Sequence, residues 1–131
     1  MTFIRKLDRS EVRFLLIAEE EIEAPDKDFD PECLEVIRKR VENGDLWGWC
    51  TALVKVYWLK APNLATGEAT LGACSYESAE DFKENSGYYG GMCDEALEDL
   101  QKNLDGYAKL LEPLVTIQSF ETWLVEKTHE E

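Results

Sequence analysis

The sequence predicts an α+β fold with a small antiparallel sheet of about three strands, in the order β-α-β-β-α-α, and with helices packed mainly on one face. Residues 11–24 alternate apolar and charged side chains with period two, which is typical of a strand with one exposed face. Residues 46–59 and 68–76 are two further strand-like segments, and the turn-forming residues 61–67 between them indicate a β-hairpin. Helical periodicity dominates the chain after this hairpin.

The first predicted strand and the helix after it each have an apolar face, and the helix has residues suited to cap its ends. For the strand segment, residues 11–24, a helix is the alternative, because a run of glutamates has good helix propensity. Asp30 is a suitable cap for a helix over 32–42, and Asn43 with Gly44 would end it. The expected apolar face of the strand is Val12, Phe14, Leu16, Ala18 and Ile22, and that of the helix is Cys33, Leu34, Ile37 and Val41.

The segment 46–59 has no polar face, which predicts the central strand. After the hairpin, Ser78 starts a single helical turn over 78–82, and a long helix begins near Tyr89. Gly106 and Pro113 are expected to interrupt that helix, and a last short helix is predicted over 119–128. The core face of the long helix is expected to consist of Met92, Cys93, Ala96, Leu97, Leu100 and Leu104.

The length of 131 residues predicts a single domain, 1–131, with a core over about 11–112 and a C-terminal helical extension over 113–131. No apolar run reaches the length of about 18 residues that a membrane span needs. The N-terminal residues become charged too early for a secretory signal. We therefore expect a cytoplasmic protein.

The residues that usually carry catalysis or bind metals are sparse. His129, close to the C-terminus, is the only histidine, which disfavours Ser-His and Cys-His mechanisms and most metal sites. The four cysteines form no CxxC pair, so free and mostly buried thiols are expected. Residues 26–30 resemble the start of a calcium loop, but Pro31 and Ile37 break the pattern. The sequence predicts a protein that is not an enzyme and that binds no cofactor and no metal.

The charge is the strongest functional signal, because 28 acidic residues face 14 basic ones and the net charge is −14. Such a chain should be repelled by nucleic acid and anionic membranes and attracted to basic surfaces. The acids either solvate the exterior or imitate a phosphate backbone. The candidate partner-binding residues are Asp94, Glu95, Glu98 and Asp99, together with Glu19, Glu20, Glu21 and Glu23.

An aromatic patch is the alternative functional surface. Trp47, Trp49 and Tyr57 fall on the predicted hairpin, and tryptophan and tyrosine are enriched where proteins bind one another. They either fill the core or form a patch for a partner protein or a second copy of the chain. The second interpretation predicts an interaction module or a homodimer.

Three motifs resemble a family of small, uncharacterised proteins of bacteriophages, prophages and related mobile elements. They are GDLWGWCTALVKV, LGACSYESAEDF and SGYYGGMCDEALEDL, and the resemblance covers roughly residues 11–100. The shared patterns are GD-x-W-x-WC, LG-x-CSY-x-S-x-x-DF and GYY-x-x-M-x-x-EA-x-x-L, whereas Leu110–Glu131 departs from them. Small acidic proteins of mobile elements often block host defences by occupying a nucleic-acid-binding surface. The resemblance thus implies a binding protein that acts in the cytoplasm of a bacterial host and inhibits a host factor with a basic surface.

Overall fold

A computed structural model of the protein describes residues 5–25 and 29–111. Its three strands form one antiparallel sheet in the order β1-β2-β3, so the predicted α+β fold and the central position of the second strand are confirmed. The strands are β1 (Val12–Glu20), β2 (Cys50–Trp58) and β3 (Thr66–Cys74), and the helices are α1 (Pro31–Glu42), α2 (Ala79–Asn85) and α3 (Tyr89–Leu111). Among the described residues, no helix is sufficiently long and apolar to cross a membrane.

Strand β1 has the predicted period-two pattern but is shorter than predicted. Val12 is buried, whereas its neighbour Arg13 is exposed. The strand ends at Glu20, so Ile22 does not join its apolar face and is instead 98% exposed. The helical alternative for this segment is wrong.

Helix α1 has the predicted caps. The side chain of Asp30 accepts a hydrogen bond from the backbone N–H of Glu32 at 3.0 Å, and Pro31 occupies the first turn. Asn43 ends the helix, and Gly44 follows with φ of +83°, a conformation that glycine adopts without strain. The expected apolar stripe is buried only at Ile37 and half-buried at Leu34, since Cys33 and Val41 are exposed.

Strand β2 starts later than the alternating pattern predicts. Residues 46–48 form a 3₁₀ turn, so Trp47 and Trp49 precede the strand, which begins at Cys50. The guanidinium of Arg40 holds this turn by donating to the Asp45 carboxylate at 2.7 Å and to the Tyr76 carbonyl at 2.6 Å. A contact between distant segments therefore overrides the local strand pattern.

Helices α2 and α3 are both longer than predicted. The hydroxyl of Ser78 accepts a hydrogen bond from the Asp81 N–H at 3.1 Å, and α2 runs on to Asn85 rather than ending after one turn. Helix α3 continues through Gly106, so the predicted interruption there is wrong. The buried side chains of Leu104 and Ala108 on either side offset the low helix propensity of this glycine.

Contacts within the chain define two compact units. Among the described residues, the first comprises 5–14, 55–68 and 94–111, and the second comprises 15–25, 29–54 and 69–93. Large buried side chains in the first unit are Leu7, Val56, Trp58, Leu100 and Leu104, and those in the second are Ile37, Val54, Phe82, Met92 and Cys93. The single-domain organisation stays a prediction. Residues 26–28 of the calcium-like loop, the extension 113–131 and the predicted helix 119–128 lie outside the described residues.

Candidate functional site

The acidic residues predicted on the long helix lie on the outer surface of α3. Asp94, Glu95 and Glu98 are exposed, and Asp99 is half-buried. The opposite face of the helix is buried, as predicted, at Ala96, Leu100 and Leu104. The helical period thus separates an acidic face from a core face.

Close backbone packing places α3 against β3 in the first unit. Gly67 of β3 is buried, and a Cβ atom at this position would lie 2.0 Å from the carbonyl oxygen of Ala96 and 2.4 Å from the backbone nitrogen of Leu100. Only glycine allows the strand and the helix to come so close. The sequence contained no sign that Gly67 has this role, because it lay within a predicted turn.

Two polar side chains of α3, one turn apart, bind backbone groups of β3. Asp99 accepts a hydrogen bond from the Glu68 N–H at 3.0 Å, and Asn103 donates one to the Thr66 carbonyl at 2.7 Å. Strand β3 is an edge strand, and its unpaired backbone groups need such partners. Asp99, a predicted site residue, therefore stabilises the fold.

Asp94 is engaged in an ion pair with Arg9 on the protein surface. The Arg9 guanidinium also lies over the Phe14 ring, 5.4 Å from its centre. Both charged side chains of the pair are more than half exposed, and such a pair contributes little stability and opens at little cost.

Glu95 and Glu98 are one turn apart on α3, and neither has a hydrogen-bond or ion-pair partner among residues 5–25 and 29–111. They line an open cavity of about 360 Å³ beside β3. The residues around this cavity are Glu68, Glu95, Glu98, Asp99 and Lys102. Four carboxylates therefore face one ammonium group, and we call these five residues the acidic cavity.

A larger cavity of about 680 Å³ adjoins α3 next to residues 6 and 7. The side chain of Gln101 lines it, accepts a hydrogen bond from the Leu7 N–H at 2.8 Å and donates one to Asp105 at 3.2 Å. Lys6 and Lys102 face Asp94, Glu98 and Asp105 around the rim. Two ammonium groups oppose three carboxylates here, against one and four in the acidic cavity, so this cavity has less preference for a cation.

The predicted acids at the end of the first strand belong to the second unit. Glu19 and Glu23 are exposed, as is Glu20, but Glu21 is half-buried. The Glu21 carboxylate accepts a hydrogen bond from the backbone N–H of Ala73, which has φ of +55°. This bond is the main reason that the pKa of Glu21 is lowered. Glu21 thus joins two segments of the fold that are distant in sequence.

The predicted aromatic patch is not one continuous strand face. Trp47 packs on the buried ring of Phe82 with ring centres 5.7 Å apart, whereas Tyr57 lies on β2 in the first unit. Trp49 donates from its indole N–H to the Glu23 carbonyl at 2.7 Å, and its ring meets Phe29 edge-on at 6.1 Å. Trp49 also lines a surface cavity.

That cavity is a groove of about 390 Å³ in the second unit, between α1 and the segment after β1. We call it the Trp49 groove, and its apolar lining is Ile22, Ala24, Pro25, Leu34, Ile37, Val41 and Trp49. Glu21, Glu23, Arg38 and Glu42 line its charged part. The sequence placed Leu34, Ile37 and Val41 on one helical stripe, but their proximity to Trp49 depends on the fold.

The cysteines follow the predicted pattern of free and mostly buried thiols. Cys50, Cys74 and Cys93 are buried, and Cys33 is exposed. Burial raises the pKa of Cys50 to about 12, and the neighbouring Cys74 contributes to this increase. Within the described ranges, no three histidine, cysteine or carboxylate side chains are grouped so that they could hold a metal ion.

Comparison of the chain with protein-family models, with curated proteins and with solved structures finds no match. The resemblance of residues 11–100 to proteins of phages and mobile elements thus stays a prediction.

Proposed function

We propose that this chain is a non-enzymatic binding protein whose acidic α3 surface engages a partner protein with a basic surface. The partner is a nucleic-acid-binding factor of the bacterial host, and the carboxylates of the chain occupy the place of phosphates. The resemblance to proteins of phages and mobile elements supports an anti-defence role.

The composition of the acidic cavity is the observation that carries this proposal. Four carboxylates surround it, with Lys102 as the one cation among its lining residues. A lysine or arginine head group entering the cavity would be partly shielded from water, which strengthens its attraction to Glu95 and Glu98. Since these two carboxylates have no partner in the described ranges, the cation would not have to displace an existing bond.

The spacing of the exposed acids supports a nucleic-acid-binding surface on the partner. Helical side chains three or four positions apart lie about 5–6 Å from each other, comparable to neighbouring phosphates along a strand. Asp94 can join Glu95 and Glu98 when its exposed ion pair with Arg9 opens. A basic surface shaped for phosphates would thus meet carboxylates at a suitable spacing.

An interaction module built on aromatic residues is the second candidate, and it includes a homodimer. Trp49 is the residue that favours it, because its ring lines an apolar groove. Trp47 supports it less, since its ring packs on Phe82.

Affinity capture from nuclease-treated bacterial lysate tests the proposed function. The bait is the full chain or its Glu95→Lys/Glu98→Lys variant, which leaves the fold-stabilising Asp99 intact. Capture is carried out at about 0.1 M and about 1 M salt, where the Debye length is about 10 Å and about 3 Å. We expect a basic, nucleic-acid-binding protein that binds the native chain at low salt and is lost at high salt or with the variant.

The matched control is Glu80→Lys/Glu84→Lys, which makes the same change in net charge at exposed positions of α2. It should capture the partner as the native chain does. The captured partner should also release an oligonucleotide when the native chain is added. If both double variants lose the partner equally, general charge and not the α3 surface is responsible.

A further inference from the structure

We infer that the Trp49 groove docks a short basic, amphipathic segment of a partner protein. The groove lies among residues 15–54, and this role is independent of the α3 surface.

The apolar surface of the groove is unusually accessible. Ile22 is 98% exposed and Val41 is 41% exposed, although each is a large aliphatic side chain. Ile37 and the half-buried Leu34 form its inner side, next to the core. These side chains offer apolar contact area that an aliphatic side chain of a partner would remove from water.

Trp49 is held in one orientation at this surface. Its indole N–H donates to the Glu23 carbonyl at 2.7 Å, and Phe29 contacts its ring edge-on. Because the ring is already ordered, the Trp49 side chain loses little conformational entropy when a ligand binds. Fixed aromatic side chains in grooves are common anchors for partner residues.

The charges of the groove determine the chemistry of its occupant. Glu21, Glu23 and Glu42 oppose a single guanidinium, that of Arg38. Arg38 is already engaged by Glu35 and Glu42 on either side of it along α1. Exposed Glu23 is left to attract a cation, and an acidic peptide would be repelled.

A segment that combines aliphatic side chains with lysine or arginine matches both the apolar lining of the groove and its excess of carboxylates. Its aliphatic residues would fill the space beside Val41 and Trp49, while its cations would face Glu23. An amphipathic helix offers this arrangement because residues at i, i+3 and i+4 share one face. We therefore assign the groove to a basic amphipathic segment of a partner rather than to a second copy of this acidic chain.

Fluorescence anisotropy with three labelled synthetic peptides of equal length tests this assignment on the full chain. A leucine–lysine peptide with helical periodicity is the probe, a leucine–glutamate peptide reverses its charge, and a serine–lysine peptide removes its apolar face. We expect saturable binding of the leucine–lysine peptide alone. Ile22→Ser/Val41→Ser should weaken that binding about tenfold or more, the loss expected when anchor contacts are removed.

Val36→Ser is the matched control, since Val36 is 58% exposed on α1 but does not line the groove. It should bind the leucine–lysine peptide as the native chain does. If the leucine–lysine peptide still binds Ile22→Ser/Val41→Ser but no longer binds Glu95→Lys/Glu98→Lys, the α3 surface is the binding site and the assignment of the groove is wrong. Equal binding of the leucine–glutamate peptide, no binding of any peptide, or self-association that Ile22→Ser/Val41→Ser abolishes would overturn it too.

Discussion

The Asp99 carboxylate accepts a hydrogen bond from the Glu68 backbone N–H at 3.0 Å, which joins α3 to the edge of β3. Glu95, one turn earlier on α3, has no such partner within residues 5–25 and 29–111. Two acids of the same helix face therefore differ in what they do. Asp99 contributes to the stability of the fold, and Glu95 is available to a partner.

Asp99→Ala should destabilise the protein, and Glu95→Ala should not. Loss of the acceptor leaves the Glu68 N–H at an exposed edge, so we expect a decrease of about 1 kcal/mol in the free energy of unfolding. Glu95→Ala removes an exposed charge and inserts the best helix former, so its effect should be close to zero. Urea unfolding of both variants measures the difference. An Asp99→Ala variant as stable as Glu95→Ala would contradict the predicted net loss of stability at Asp99.

Gly67→Ala should destabilise the first unit strongly. Its Cβ would approach the Ala96 carbonyl oxygen to 2.0 Å, and this neighbour is backbone that cannot rotate away. Overpacking of this kind costs about 1–3 kcal/mol or more. Thermal unfolding measures the loss.

Gly106→Ala is the matched control for Gly67→Ala. Gly106 lies within α3, and a Cβ there would meet no atom of the described residues within 4 Å apart from its own stretch of helix. Replacing an interior helical glycine by alanine stabilises a helix by about 0.5–1 kcal/mol. Gly67→Ala should thus lower the free energy of unfolding and Gly106→Ala should raise it. A Gly67→Ala variant that is more stable than the native chain would contradict the close packing of β3 on α3.

Stability should decrease at low pH because of Glu11. The Arg5 side chain donates two hydrogen bonds to this carboxylate and lowers the pKa of Glu11 from 4.5 to about 2. A lowered pKa in the folded state adds stability that is complete above pH 4.5 and is lost as the pH falls towards 2. Because Arg5 is largely exposed, the contribution should be at most about 1 kcal/mol.

Glu11→Gln removes this contribution and tests it. The native chain should be more stable than the variant at pH 6, and the difference should shrink between about pH 4.5 and pH 2. Chemical unfolding as a function of pH measures both chains. A difference that stays constant across this interval would contradict the role of Glu11 ionisation.

Thiol labelling should separate Cys33 from the other cysteines. Cys33 is exposed, whereas Cys50, Cys74 and Cys93 are buried, and the pKa of Cys50 is raised to about 12. Only the thiolate reacts, so one thiol should react quickly with a maleimide at neutral pH and the other three only on unfolding. Mass spectrometry of labelled peptides measures the order. Fast labelling of Cys50 in the folded protein would contradict its burial.

Patterns within single segments predicted most of the fold. The period-two alternation located β1, and the caps Asp30 and Ser78 located the starts of α1 and α2. The sequence also placed Glu95 and Glu98 on the exposed face of α3. These features depend on neighbours within a few residues, which a sequence contains directly.

The features that sequence patterns missed depend on contacts between distant residues. Trp47 was predicted in a strand but lies in a 3₁₀ turn, which Arg40 of α1 stabilises through hydrogen bonds to Asp45 and Tyr76. Glu21 looked like any other surface glutamate, yet it binds the Ala73 N–H, 52 residues away. Trp49 lines a groove only because α1 lies nearby. None of these roles changes the local pattern of the sequence.

The central proposal is tested most directly by the salt dependence of partner binding. It is measured for the native chain, for the α3 variant Glu95→Lys/Glu98→Lys and for the α2 variant Glu80→Lys/Glu84→Lys. Charge pairing at the acidic cavity predicts that the native chain and the α2 variant bind the same basic partner and release it at high salt. It also predicts that the α3 variant does not bind at any salt concentration. A partner that the α3 variant retains at moderate salt would contradict the proposal that α3 takes the place of nucleic acid.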